Sequence, residues 1–235
     1  MTKSGQDGSL AAFAAGLPDP AELERRFRAL GIIEAVLTDH DFKYFYTRSF
    51  LDRPERIGRY DSGAGDTIFA FFADHGAFVR AFDHEDDTSP YATGELWPGL
   101  LDGLPEPFRP LVAIGELEDE DWVAGEDEPT ITLAVWTVGD HWQHGNPQPG
   151  DAGEVPEPTT WMFHLLAGDF TAQEIAEDFG RYFGTAIDPA ALAPFLELQP
   201  LTRERALAVN PEPNWDILKH IAERAGYPSE LADVP

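Results

Sequence analysis

Two apolar runs, Thr67–Ala73 and Ala77–Phe82, stand on either side of Asp74-His75-Gly76, and no other feature of the chain restricts its fold as strongly. A run such as Ile68-Phe69-Ala70-Phe71-Phe72 is too short for an ordinary helix and too apolar for a surface strand, so it belongs inside a sheet. The gap ends on a glycine, which accepts positive φ, and the pair reads as a tight hairpin. Lys43–Phe50, rich in Tyr, Phe and Thr, predicts a strand before it, as does Arg56–Tyr60. The alternating segment Thr130–Val138 predicts a fifth. Between two of these strands, Asp61-Ser62-Gly63-Ala64-Gly65-Asp66 is glycine-rich. It is flanked by aspartates and followed by a strand rather than a helix, so it reads as a turn and not as a phosphate cradle.

Helices are signalled at both ends of the sequence. Asp19 suits an N-cap, Pro20 the first helical position and Glu22 a capping acid, before a stripe of Leu23, Phe27 and Leu30. Gly31 can close this helix, although Ile32–Leu37 reads better as helix than as strand. Thr171-x-x-Glu174 is a capping box followed by Ile175, Phe179, Tyr182 and Phe183 on one face, with Gly184 as terminator. Asp188-Pro189, Thr202 and Asn214 open three more helices. Leu96–Leu101 predicts a short helix, and the Pro- and Gly-rich stretch His141–Pro158 a long loop. Strands followed by helices make an α+β fold: an antiparallel sheet of about four or five strands, an N-terminal helix and a helical C-terminal third. Residues 1–16 are expected to be a flexible tail and 17–235 a single α+β domain, the sheet in about 40–140 and the helices in about 160–228.

Charge is the second constraint. The 235 residues carry 43 Asp and Glu against 16 Lys and Arg, a net charge of −27. Residues 81–160 hold 19 of those carboxylates and a single basic residue, Arg109, whereas residues 1–80 hold ten Lys and Arg. So acidic a chain is not built for nucleic acid or an anionic membrane, which need a basic footprint. It suits either a salt-adapted surface or the recognition of a basic partner. The absence of cysteine rules out disulfides, thiolate nucleophiles and cysteine-ligated metal. Leu10–Leu17 is too short to span a bilayer, and with Asp7 before it lacks the basic start of a signal peptide, so a cytoplasmic location is expected.

Three groups of residues invite chemistry. Asp83-His84-Glu85 offers carboxylate and imidazole ligands, but in an extended strand His84 would point away from its neighbours. His141 and His144 have a spacing that shares a face only on a helix, and they follow a strand. The metalloprotease pattern His-Glu-x-x-His and the nucleophile elbow Gly-x-Ser-x-Gly are both absent. The third group is Glu118, Asp119, Glu120, Asp121, Trp122, Glu126, Asp127 and Glu128, a dense acidic run expected in an exposed loop with an aromatic among its charges.

The stretch from Asp61-Ser62-Gly63 through Gly76–Glu85, Ser89-Pro90-Tyr91, Leu96–Leu101 and Leu104-Pro105 to Gly226-Tyr227-Pro228 resembles a group of bacterial proteins of unknown function. That resemblance implies a bacterial, intracellular, globular protein, and it brings no activity, cofactor or catalytic residue. The residues themselves favour a non-enzymatic binding protein, immunity-like or inhibitor-like toward a basic protein such as a nuclease toxin, with the run at 118–128 as contact surface. No cofactor or resident metal is expected for such a protein. The competing expectation is a metal-dependent hydrolase using Asp83, His84, Glu85 and His141 or His144.

Overall fold

The computed structural model describes residues 9–38, 45–49, 55–113, 129–150, 155 and 157–231, and of residues 46–49 the backbone alone. At its centre is an antiparallel sheet of six strands in sequence order: β1 (Phe45–Ser49), β2 (Arg56–Asp61), β3 (Thr67–Ala73), β4 (Gly76–Phe82), β5 (Leu133–Val138) and β6 (His141–His144). The α+β architecture follows the sequence reading, with one more strand. β6 falls in the stretch expected to be a loop. Gly139-Asp140, with Gly139 at φ 61°, turns the chain after Val138 and pairs His141 with it. A two-residue glycine turn is a hairpin signal, masked here by the prolines that follow.

The hairpin forms as expected, with Thr67 opposite Phe82 and Ala73 opposite Gly76. Because side chains alternate faces, β3 and β4 feed two cores. Ile68, Ala70, Phe72, Ala77, Val79 and Ala81 face the helices, while Phe69, Phe71 and Phe78 pack on the opposite side with Leu100, Leu104, Phe108, Leu111 and Ile131. Burial on both faces is why these strands read as continuous apolar runs. The second face is covered by residues 96–112, a series of turns ending in the 3₁₀ helix Glu106–Leu111. The short helix expected at 96–101 is replaced there by turns, with Gly99 and Gly103 at positive φ. The backbone of 98–99 instead bonds to Asn146 and Gln148, and a Cβ at Gly99 would lie 2.0 Å from the Asn146 carbonyl oxygen.

The helix face is organised by α2 (Pro20–Leu37), which runs straight through Gly31. Every residue from Ala29 to Val36 is buried, because α2 lies between β1 on one side and the C-terminal helices on the other. Phe27 meets Phe45 and Phe72 edge-on, both at 6.4 Å between centroids. Residues 10–16, read from sequence as part of a loose tail, form α1 (Leu10–Gly16), capped by Ser9 and packed on β6. Phe13 anchors it against Phe163 at 4.9 Å. Then come α3 (Pro90–Thr93), α4 (His164–Ala167), α5 (Ala172–Phe183), α6 (Pro189–Leu196), α7 (Arg203–Val209) and α8 (Trp215–Arg224). Asp188, Thr171, Thr202 and Asn214 cap the last four as their sequence predicts. Among the described residues, no helix is long and apolar enough to cross a membrane.

A Cβ built at Gly58 would lie 2.5 Å from Cγ of the Phe27 ring. Gly58→Ala is therefore expected to cost about 1–3 kcal/mol through overpacking, read as a lower urea midpoint with an unchanged slope. Gly16→Ala, with nothing within 4 Å of the added atom, is expected to stay within about 0.5 kcal/mol of the parent.

Candidate functional site

The end of the hairpin places two carboxylates opposite each other. Thr67 pairs with Phe82, so Asp66 and Asp83 come next across the ladder and share the face of Ile68 and Ala81. Both are buried. Facing like charges repel, and donors from four directions offset this. Asp66 accepts from the Ser62 hydroxyl at 2.8 Å and from His84, through its backbone N–H at 3.1 Å and its Nδ1 at 2.6 Å. Asp83 accepts from the Glu85 amide and from the Trp161 indole N–H, both at 2.9 Å.

His84 reaches Asp66 because the strand has already ended. The chain turns at Asp83, whose carbonyl accepts from the Asp86 amide at 3.3 Å, so the alternation expected for an extended Asp83-His84-Glu85 does not hold. Asp66, Asp83 and His84 bring ligand-capable atoms within 4.8 Å of one another, the sole such group among the described residues. Glu85 stays outside it, exposed. So do His141 and His144. His144 pairs with Val135, two strands from β4, whereas the Asp83 amide bonds to Thr132. At about 3.3 Å per residue and 4.8 Å between strands, His144 lies on the order of 15 Å from Asp83, and His141 farther. The two histidine-bearing clusters of the sequence reading do not converge.

The acidic run Glu118, Asp119, Glu120, Asp121, Trp122, Glu126, Asp127 and Glu128 lies outside the described residues. Its flanks, Leu111–Val112 and Ile131, belong to the layer covering the second face of the sheet. Trp142 pins its strand by donating to the Pro18 carbonyl at 2.8 Å. Trp161 is 49% exposed.

Beside the hairpin end opens a cavity of about 410 Å³. Glu34 of α2 and Tyr60 of β2 line it from the sheet side, and Asp178, Phe179, Tyr182 and Phe183 of α5 from the other. Glu34 is buried and accepts from the Phe45 amide at 2.7 Å. Asp178 takes the Arg181 guanidinium at 2.8 Å and His164 Nε2 at 3.3 Å. Phe45 meets Tyr60 at 5.3 Å and Phe179 at 6.1 Å between centroids, with both ring pairs tilted. Burial, followed by the negative charges of Asp66, Asp178, Asp61 and Glu34, pushes the Tyr60 hydroxyl up to about 12. No local pattern joins Glu34, Tyr60 and Asp178, since each sits inside an ordinary helix or strand pattern.

The Asp66 hydrogen bond raises the His84 pKa above its ordinary value. Burial pushes the Asp66 carboxyl up, but the bonds from His84 and Ser62 outweigh it and hold the group below its ordinary value. The His84 contribution to stability is therefore complete below about pH 6.5 and lost as pH rises through its raised folded pKa. That of Asp66 is present above about pH 3.9 and lost as pH falls through its lowered one. In an NMR titration the His84 ring is expected to titrate above about 6.5, and Asp66→Asn to bring it back down. An unchanged midpoint in the variant would show that the pair does not form.

No family model, curated protein or solved structure matches the chain.

Proposed function

We propose that the chain is a non-enzymatic acidic binding protein of the bacterial cytoplasm, immunity-like or inhibitor-like, that holds a basic protein such as a nuclease toxin. One observation supports the reading: residues 96–112, from within the acidic third, form a covering layer on which Arg109 is the single basic residue and pairs with Glu106. This layer covers the second face of the sheet, and Glu95, Asp102 and Glu106 stand exposed along it. Among the described residues, five arginines of the N-terminal third are engaged in ion pairs. Arg25 and Arg26 pair with Glu22, Arg28 and Arg56 with Glu24, and Arg59 with Asp61. Acid gathered over that face would give a one-sided negative field of the kind that steers a basic partner. Basic nucleases suit such a field, because they must themselves bind phosphate.

The test compares two sets of neutralised acids in the full chain, with binding to a basic nuclease read by biolayer interferometry at low and high salt. Changing Glu118, Asp119, Glu120 and Asp121 to their amides is expected to slow association about tenfold or more at low salt. Changing the exposed Glu177, Glu197, Glu204 and Glu223 to Gln removes the same charge elsewhere and is expected to do much less. Equal losses from both sets, or no basic protein bound at low salt, would overturn the reading.

A second reading is favoured by the convergence of Asp66, Asp83 and His84 within 4.8 Å. A metal-dependent hydrolase built there would keep Asp83 and His84 and use Asp66 in place of Glu85, His141 and His144. Its carboxylates already accept from protein donors, so a metal would have to use their remaining lone pairs. Stoichiometric zinc, manganese or iron in protein purified without a tag, lost in His84→Ala, is the result that would favour it. Metal-free protein that still binds the nuclease would rule against it.

A further inference from the structure

The cavity between β2 and α5 has a composition that selects for charge sign as well as shape. Its walls are aromatic, with Phe45, Phe179, Tyr182 and Phe183, and its polar groups are the carboxylates of Glu34 and Asp178, the Tyr60 hydroxyl, and the His164 and Arg181 side chains that already reach Asp178. At about 410 Å³ it lies within the range of about 300–1,000 Å³ typical of small-ligand sites. Negative charge among π faces suits a cation: ring faces attract it, and carboxylates pair with it in partly desolvated surroundings. An anion meets repulsion from Glu34 and Asp178, whose own basic partners are His164 and Arg181 on the Asp178 side, and a neutral alcohol gains only apolar burial.

A cationic group already sits at one wall. Arg181 places its guanidinium 2.8 Å from Asp178 while its side chain is 79% exposed. Exposed pairs of this kind, three residues apart on a helix, contribute little to stability, so the arginine can swing away at small cost. Asp178 is thus shown accepting a guanidinium in a geometry that an incoming ligand can take over.

We propose that this cavity is a socket for an organic cation, an alkylammonium or alkylguanidinium head carried on an apolar chain. The chain lies against Phe179 and Phe183, the head pairs with Asp178 toward Glu34, and Tyr182, 55% exposed, forms part of the rim. Two sources carry this chemistry: a free amine, and a lysine or arginine side chain of a partner protein. The socket lies on the helix face, away from the acidic layer over the second face, and its chemistry does not depend on the proposed protein partner.

The experiment is isothermal titration calorimetry of the full chain with pentylamine and agmatine, with pentanol and pentanoate as neutral and anionic counterparts. Both cations are expected to bind saturably at one site, pentanol at least about tenfold more weakly and pentanoate not at all. Asp178→Asn is expected to weaken the cations about tenfold. Arg181→Ala is expected to tighten them, because it removes the internal competitor. Glu34→Gln tests the second carboxylate, and Tyr182→Ala supplies a surface variant should Glu34→Gln fail to fold. A tripeptide with arginine at its centre separates the sources: binding with the amines assigns a side-chain socket, and binding of the amines alone assigns a free amine. Pentanol binding as tightly as pentylamine, or affinities unmoved by both Asp178→Asn and Arg181→Ala, would overturn the proposal. Loss of nuclease binding with amine binding intact would leave it standing and count only against the protein-partner reading.

Discussion

The contact between Phe27 and Gly58 sets the position of nearly everything else. Without a Cβ on β2 at that point, the aromatic ring of α2 rests directly on the sheet, and the helix is drawn down until its whole later half is enclosed. That later half has no solvent face left, and its sequence accordingly shows little amphipathic pattern beyond the first stripe. Enclosure carries Glu34 into the interior, where it is stabilised by accepting from the amide of Phe45 at the start of β1. The floor of the cavity is therefore a consequence of how the core is packed.

The parts of this fold legible in the sequence are those governed by local rules. Capping by Asp19, Thr171, Asp188, Thr202 and Asn214 depends on a few adjacent residues, and each cap forms. The β3–β4 hairpin is equally local. Missed features depend on distant partners. Leu10–Gly16 has a local cap in Ser9, but the partners that hold it, β6 and Phe163, lie far along the chain. His141–His144 becomes a strand because β5 offers it an edge. The Trp161 indole N–H is bonded to Asp83, 78 residues away, which no local pattern announces.

The site follows the same division. Asp83 and His84 could be singled out because they are adjacent in the chain. Asp66 was legible only as a turn residue, and its role as the partner of His84 comes from the register of the hairpin. Glu34, Tyr60 and Asp178 meet because α2, β2 and α5 are brought together by the core. Composition foretold the acidity but not its arrangement. Several N-terminal arginines pair with Glu22, Glu24 and Asp61, and residues 96–112 of the acidic third cover the second face of the sheet. Locally paired charge projects little field, whereas like charge gathered over one face adds up.

The central claim is that negative potential is gathered over part of the surface. It is tested most directly by near-surface potentials, obtained from amide-proton relaxation with cationic and anionic nitroxide probes of the same size. The account predicts strongly negative values over 83–112 and around Asp178, and values near neutral along the exposed side of α2 at Arg25 and Arg28. A uniform potential around the molecule would contradict it.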